Sequence, residues 1–165
     1  MFEFLSTNVE YVSTGRRAVL VDVENLVGNS ALTASEVRVS AQSLEPLLGP
    51  LRDTQVIIGV SHHNLLASKV GWSVSHPRFV VRSGCDGADL VLLDVIAEEN
   101  LSKRFEEVVL VSGDHVFTGA VVRLGTEGVR VDVVAGRSSC SKTLRMASFR
   151  TFLFDSGANA EQDVA

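Results

Sequence analysis

Acidic side chains follow or open apolar segments at three places in the sequence, and their type and spacing indicate metal chemistry. Asp22 falls in the run AVLVDV, Asp114 comes shortly after EVVLVS, and Asp86 and Asp89 open a long helix-like stretch. If these segments meet, the like charges are unfavourable unless a cation lies among them. Mg²⁺ or Mn²⁺, a hard ion with oxygen ligands, would neutralise them. Water on such an ion can attack a phosphodiester.

Each of these carboxylates also has a structural interpretation. Asp22 lies in an apolar strand, where an unpaired carboxylate is rarely buried, so a functional role is favoured. Asp114 could instead cap the next helix, since Asp is a favoured N-cap residue. Asp86 and Asp89 are three residues apart and share a helix face, and we expect one of them to be a cap. Asp94 points another way, and its support of the site stays open.

The elements that must position these residues are short apolar runs alternating with helix-like stretches. The runs are continuous and rich in Val, Ile and Leu, which is typical of strands covered on both faces; they span 18–23, 54–60, 78–83, 107–112, 129–135 and 149–154. Helices are predicted near 33–48, where Thr33 and Glu36 have capping-box spacing, and near 63–70, 87–100, 116–127 and 140–147. This alternation predicts a three-layer α/β/α sandwich with a mainly parallel central sheet. Ligands of such sheets bind outside the carboxyl ends of the strands, where Asp22 and Asp114 fall.

The length and composition fit one globular domain. The chain has 165 residues, of which 45% are hydrophobic and 21% charged. We expect the domain to span 16–154, between an N-terminal tail of 1–15 and a C-terminal tail of 155–165. The net charge of -5 neither supports nor excludes a nuclease, because nucleic acid would have to bind at a local basic patch.

Cysteine usage and the apolar pattern predict a cytoplasmic protein. Cys85 and Cys140 lack metal-ligand spacing and are interpreted as reduced thiols. The N-terminal segment has no charged region followed by an apolar one, so no signal peptide is expected. No apolar run approaches the roughly 20 residues that cross a bilayer, so no membrane partner is expected.

Four segments resemble, in order, the successive motifs of the NYN branch of PIN-like ribonucleases. They are VLVDVENL (19–26), GADLVLLD (87–94), VVLVSGDHVF (108–117) and GVRVDVV (128–134). The resemblance covers roughly residues 17–150 and is to a bacterial type that ends in a short basic helix, here around Lys142. It implies a PIN-like fold and metal-dependent cleavage of RNA.

The resemblance also implies roles for individual residues. Asp22, Asp89 and Asp114 would be the metal ligands and catalytic carboxylates. Asn25 would orient a carboxylate or a phosphate from the first motif. Ser112 would support Asp114 through its hydroxyl group.

Two departures from the family pattern affect the expected activity. Many members have a second Asp two residues after that of the Ser-Gly-Asp motif, where this chain has Val116. Asp94 stands one residue earlier than the family's further helix acid. A site short of one carboxylate would hold metal more weakly and be slow or inactive, unless Asp86 or Glu24 supplies the missing charge.

A basic stretch near the C-terminus could contact the substrate. Lys142, Arg145 and Arg150, with Arg137 nearby, could hold RNA phosphates or could form an ordinary solvated helix face. His115 follows Asp114 directly and could act near the leaving group or contact RNA, although a lone exposed histidine is the commoner explanation.

The sequence therefore favours an Mg²⁺- or Mn²⁺-dependent endoribonuclease acting on single-stranded or structured RNA. An alternative is a catalytically weak or inactive NYN domain that binds RNA or protein, which Val116 favours, and a homodimer stays open. A third hypothesis is a small-molecule phosphohydrolase, for which Asp22 and Glu24 have the right spacing. That hypothesis lacks a well-placed lysine to neutralise a phosphoryl intermediate.

Overall fold

Six parallel strands form the central sheet of the protein. The computed structural model describes residues 15–155, so the predicted tails lie outside it apart from Gly15 and Asp155. The strands are β1 (Arg17–Asp22), β2 (Thr54–Ser61), β3 (Arg78–Arg82), β4 (Glu107–Val111), β5 (Arg130–Gly136) and β6 (Arg150–Phe154). Their order is β3-β2-β1-β4-β5-β6, and every neighbouring pair is parallel. The predicted parallel sheet is confirmed.

Seven α-helices connect the strands in the described part of the chain. They are α1 (Val23–Val27), α2 (Ala34–Leu48), α3 (Leu65–Gly71), α4 (Gly87–Glu98), α5 (Leu101–Arg104), α6 (Thr118–Thr126) and α7 (Lys142–Ala147). Short 3-10 turns precede α3 and α6. Thr33 and Glu36 form the capping box that their spacing predicts at the start of α2.

Two helices were not predicted from the sequence. Strand β1 ends at Asp22 rather than Val23, and α1 follows it at once with Asp22 as its N-cap. The helix predicted over 87–100 is present as α4, which ends at Glu98, and Asn100, with a left-handed backbone (φ 50°), separates it from the unpredicted α5. Helices of four or five residues are too short to show a helical period, so the hydrophobic pattern could not reveal them.

The helices cover both faces of the sheet and form two cores. Alternate side chains of β1 point to opposite faces, Ala18 and Leu20 to one core and Val19 and Val21 to the other. The first core contains residues of α4, α5, α6 and α7, and the second contains residues of α1 and α2. Burial on both faces explains why the four central strands have continuous apolar sequences, whereas β3 and β6 at the sides of the sheet are only partly buried.

The direction of the connections reverses between β1 and β4, which are neighbours at the middle of the sheet. The chain moves from β1 outward to β2 and β3, and after α4 it returns to β4 and moves outward to β5 and β6. A crevice forms outside the carboxyl ends of the strands at such a reversal, and this is where open α/β sheets bind their ligands. Asp22 and the Ser112-Gly113-Asp114 turn lie at this crevice.

None of the helices within residues 15–155 is long and apolar enough to cross a membrane. Cys85 and Cys140 are both free thiols, as predicted. Burial raises the pKa of the Cys140 thiol, an effect that the nearby charge of Arg145 partly offsets.

Candidate active site

Asp22 is a buried carboxylate surrounded by other acids. Its side chain is at the end of β1 and the residue is only 2% exposed. Oδ1 accepts a hydrogen bond from the backbone N–H of Asn25 (3.2 Å), and Oδ2 accepts one from the hydroxyl of Ser112 (3.3 Å). The pKa of Asp22 is raised to about 7, mainly by burial; the charges of Asp89 and Glu24 contribute to the rise, and the hydrogen bonds from Asn25 and Ser112 oppose it.

The structure also gives Asp22 a capping role, which the sequence interpretation did not include. The hydrogen bond from Asn25 makes Asp22 the N-cap of α1. Asparagine and serine cap a helix as well as aspartate does, so capping needs an oxygen atom but no charge. A neutral cap would avoid the unfavourable burial, and the carboxylate of Asp22 therefore needs a further explanation.

The Ser112-Gly113-Asp114 turn joins the end of β4 to Asp22. The Ser112 hydroxyl donates to Asp22 and accepts from the backbone N–H of Asp114 (3.3 Å). Asp114 caps the following 3-10 turn by accepting from the N–H of Val116 (3.0 Å), and the same oxygen lies 3.0 Å from Nδ1 of His115. Ser112 thus supports both acids, and the predicted cap at Asp114 is present without burying its carboxylate.

Asn25 acts on the backbone of the same turn. Its Oδ1 accepts a hydrogen bond from the N–H of Gly113 (2.9 Å), so α1 and the end of β4 are tied together. The resemblance implied that Asn25 orients a carboxylate or a phosphate. Its backbone does hold Asp22, whereas its side-chain oxygen positions Gly113 instead.

Glu24 is a fourth acid of the site and is held in place by β2. Its Oε1 accepts from the backbone N–H of Ser61 (3.1 Å) and from Nδ2 of Asn64 (2.8 Å). Asn64 is only 2% exposed. The charge of Glu24 raises the pKa values of both Asp22 and Asp89. Sequence reasoning missed Asn64 and Ser61, although both lie at or just after the carboxyl end of a predicted strand.

Helix α4 approaches the sheet closely because β2 has a glycine beneath it. Gly59 pairs with Asp22 in the register of β1 and β2. A Cβ atom at Gly59 would lie 2.5 Å from Cγ of Leu92 and 2.6 Å from the carbonyl oxygen of Ala88, distances that real Cβ atoms do not adopt. The close packing brings the first turn of α4, which carries Asp89, next to the end of β1.

Burial and the charges of three neighbouring acids raise the pKa of Asp89. Burial is the main cause that raises its pKa, and the charges of Asp114, Asp86 and Glu24 raise it further. The charge of Asp89 in turn raises the pKa of Asp22, so these carboxylates form one electrostatic group. We call the following four residues the acidic centre: Asp22 at the end of β1, Glu24 in α1, Asp89 at the start of α4 and Asp114 after β4.

The geometry of the acidic centre agrees with the sequence relationships of the chain. The sequence profile of the NYN domain matches residues 16–154, which is most of the chain. The chain belongs to the NYN domain family. The resemblance seen in the sequence motifs is thereby confirmed, and the family places the chain among nuclease-like domains of the PIN-like type.

One solved structure similar to this NYN domain is a protein of unknown function from Vibrio parahaemolyticus. It is 19% identical, with a TM-score of 0.48, and the similarity covers 84% of this chain and 92% of that one. No curated protein matches the chain.

The acidic centre of the NYN domain suits a hydrated divalent ion better than a closed metal cage. Within residues 15–155, no three His, Cys, Asp or Glu side chains converge closely enough to enclose an ion. A structural Zn²⁺ site, which needs four nitrogen or sulfur ligands, therefore does not fit. Mg²⁺ and Mn²⁺ do fit, because Mg²⁺ binds through one or two carboxylates and keeps several waters.

Three acids of this centre, Asp22, Glu24 and Asp89, also lack a cationic partner in the described part of the chain, whereas Asp114 lies 3.0 Å from Nδ1 of His115. No lysine or arginine there forms an ion pair with Asp22, Glu24 or Asp89. Buried charges in proteins are normally paired or coordinate a metal. The charge balance of the site thus favours a bound cation.

The two other acids considered from the sequence take different positions. Asp94 forms an exposed ion pair with Arg82 (2.7 Å), so the structure does not bring it into the acidic centre. Asp86 is exposed at the N-cap position of α4 without a capping hydrogen bond, and it acts on Asp89 only through its charge. Val116, which stands where the resemblance implied a second acid, is 40% exposed.

Two of the predicted RNA-binding residues lie on a helix that begins at the acidic centre. The backbone N–H of Ser141 donates to the carbonyl oxygen of Gly113 (2.8 Å), which places the start of α7 against the Ser-Gly-Asp turn. Lys142 and Arg145 are both exposed on this helix. Their positions agree with the predicted phosphate-binding role.

The remaining basic residues differ from the sequence interpretation in part. Arg137 is exposed and pairs with Asp155 (2.9 Å). The grouping of Arg150 with the substrate-binding residues is wrong, because its guanidinium pairs with the buried Asp132 (2.6 Å) at the start of β6, on the opposite edge of the sheet. His115 has a side chain that is 77% exposed and contacts Asp114.

Proposed function

We propose that this NYN domain is an Mg²⁺- or Mn²⁺-dependent endoribonuclease that hydrolyses RNA phosphodiester bonds. The observation that carries the proposal is the state of Asp22, a buried carboxylate at the reversal of the sheet whose pKa is raised to about 7 among other acids. Strongly shifted acids at the ligand-binding edge of a fold are typical of functional sites. Membership of a nuclease-like family supports the same reaction class.

The residues of the acidic centre have distinct roles in this proposal. Asp22, Asp89 and Asp114 would hold a hydrated metal ion, one or two of them directly and the rest through its waters, and the ion would supply an activated water and stabilise charge on the phosphate when it is bound. Ser112 holds Asp22 and Asp114 in position relative to each other through its two hydrogen bonds. Glu24, fixed by Asn64, supplies the negative charge that Val116 does not.

Conservative substitutions of the acids test the proposal directly. In Asp22→Asn and Asp114→Asn the side chains can still accept the capping hydrogen bonds, but the charge is lost. Outer groups around a metal alter affinity or activity by about 10- to 100-fold, so we expect loss of a direct ligand to lower Mn²⁺-dependent cleavage of single-stranded RNA at least about a hundredfold. The rate should be measured on a labelled oligonucleotide.

The matched control is Asp94→Asn, which removes an exposed acid from the same surface and should leave cleavage unchanged. Circular dichroism must show that all three variants are folded. Wild-type cleavage by the Asp22→Asn protein would contradict the assignment. Turnover of a chromogenic phosphomonoester without cleavage of RNA would instead favour the phosphohydrolase hypothesis.

A second candidate function is a non-catalytic module that binds RNA or protein. The supporting observation is Val116, an apolar side chain 40% exposed beside Asp114, at the position where the resemblance implied a second acid. Calorimetric titration distinguishes the two candidates, because the nuclease must bind Mn²⁺ or Mg²⁺ at millimolar concentration and the module need not. The cytoplasmic location and the homodimer stay predictions.

A further inference from the structure

The outward face of α7 carries cationic and apolar side chains that the acidic centre does not use. Leu144 is fully buried against the core, whereas Lys142, Arg145 and Met146 are exposed, Met146 to 78%. These three residues are three and four positions apart, so they lie on one helix face. In the part of the chain that the structure describes, neither Lys142 nor Arg145 forms an ion pair.

An exposed aromatic ring lies just beyond the end of this helix. Phe149 is 68% exposed, and the guanidinium groups of Arg130 and Arg150 lie 5.6 Å and 6.0 Å from its ring centroid. Beside the ring is an open groove of about 380 Å³ between α6 and the end of α7, with a lining of mixed polarity that includes Val121, Val131, Arg130, Ala147, Ser148 and Phe149. The ring thus remains exposed to solvent next to this groove, with the two guanidinium groups lying over it.

Helix α7 connects this ring to the acidic centre. The N-terminal end of α7 adjoins Gly113 through the hydrogen bond from Ser141. Beyond its C-terminal end, the N–H of Phe149 donates to the carbonyl oxygen of Val131 (2.7 Å), near the start of β5. Strand β5 runs on from Val131 to Gly136, a distance of roughly 17 Å at about 3.3 Å per residue. Lys142, Arg145 and Met146 on α7 together with Phe149 beyond its end therefore extend from the acidic centre toward the amino ends of the strands, and we call these four residues the α7 track.

We infer that single-stranded RNA runs along the α7 track, with its phosphates at Lys142 and Arg145 and a base stacked on Phe149. The direction, from the acidic centre outward, rests on the proposed nuclease function. Proteins that bind single strands combine cations for the backbone with aromatic faces for the bases, which is the combination found here. A duplex offers no unstacked base to Phe149, so the track favours unpaired RNA.

The test is the affinity for a fluorescent oligouridine of about ten nucleotides, which lies within the usual site size of single-strand binders. Fluorescence anisotropy in the presence of a chelator measures binding without metal-dependent cleavage. We expect Phe149→Leu, which keeps an apolar cover but has no flat ring, to weaken binding about tenfold, and Phe149→Trp to restore it. Replacing both Lys142 and Arg145 by Gln should reduce the salt dependence of binding.

The matched control is Val39→Ala, which shortens an equally exposed apolar side chain on α2, across the sheet. Failure of the wild type to bind, or equal binding by wild type and Phe149→Leu, overturns the inference. So does a change of oligomeric state in Phe149→Leu at unaltered RNA affinity, which would make the groove a protein contact. If Phe149→Leu binds weakly but the wild type never cleaves RNA with Mn²⁺, the track stands and the nuclease proposal fails.

Discussion

Acidic residues are buried in opposite ways at the amino ends and at the carboxyl ends of the strands. At the amino ends of the strands, Asp132 is fully buried and Glu107 is 4% exposed, and each has a guanidinium partner. Arg150 lies 2.6 Å from Asp132, and Arg130 lies 2.7 Å from Glu107. At the carboxyl ends, Asp22 is 2% exposed and receives only a hydroxyl and a backbone N–H as hydrogen-bond donors.

The difference shows that burial alone does not identify a functional acid. An acid buried with an arginine has its charge balanced within the fold, and its role is to join neighbouring strands. An acid buried among other acids lowers the stability of the metal-free protein, so its retention requires a ligand or a reaction. Asp132 belongs to the first kind and Asp22 to the second.

The stability of Asp22→Asn should show the largest effect. A rise of the pKa from 3.8 to about 7 corresponds to roughly 4 kcal/mol at about 1.4 kcal/mol per unit. Because the folded protein holds the proton more tightly than the unfolded chain, the ionised Asp22 destabilises it increasingly from about pH 4 to pH 7. We expect metal-free Asp22→Asn to exceed the wild type by about 3 kcal/mol above pH 7, as measured by urea unfolding.

The stability difference should vanish near pH 4, where Asp22 is protonated in both states, and should shrink when Mn²⁺ is added. An Asp22→Asn protein that is less stable than the wild type at every pH would contradict the view that this charge is uncompensated.

A loss of folding stability, rather than a gain, is expected on substitution at the amino ends of the strands. Arg150→Met removes the guanidinium that lies 2.6 Å from the buried carboxylate of Asp132, whereas that of Arg130 lies 4.0 Å away. Removing one partner of a buried pair is strongly destabilising, and since the side chain of Arg150 is 30% exposed we expect a loss of about 2–3 kcal/mol. Thermal unfolding measures the loss. Mn²⁺ affinity should stay unchanged, and a coupled loss of metal binding would show that the two edges are not independent.

A smaller effect is expected at Glu24. Glu24→Gln can still accept the hydrogen bonds from Ser61 and Asn64 but removes the charge. We expect Mn²⁺ affinity, measured by calorimetry, to fall about tenfold, as for other groups that tune a metal site. Asp86→Asn, an exposed acid of the same region, serves as the control and should have a weaker effect. Equal affinities of wild type and Glu24→Gln would exclude Glu24 from the acidic centre.

Local sequence patterns predicted most of the fold and the main acids. Continuous Val- and Ile-rich runs predicted the strands, and the Thr33–Glu36 spacing predicted the start of α2. Asp22 and Asp114 lie at or just after the ends of predicted strands, and parallel sheets bind their ligands there, so both residues could be assigned to the site. These features depend on neighbours in sequence, which is why the sequence contains them.

Contacts between distant residues could not be predicted in this way. Asn64 holds Glu24 across 40 residues, and Arg150 pairs with Asp132 on a neighbouring strand. Arg150 is eight residues from Lys142, and only the path of α7 back across the sheet separates their roles. A single amino-acid sequence does not show which distant residues pair in the fold.

Gly59 has a consequence for how this protein can change over generations. Its missing side chain lets α4 rest on the backbone of β2, because a Cβ atom at position 59 would overlap the carbonyl oxygen of Ala88 and the side chain of Leu92. The height of the first turn of α4 above Asp22 thus depends on the absence of a single methyl group. Even alanine at position 59 would lift the helix and with it Asp89, so this position allows no gradual adjustment.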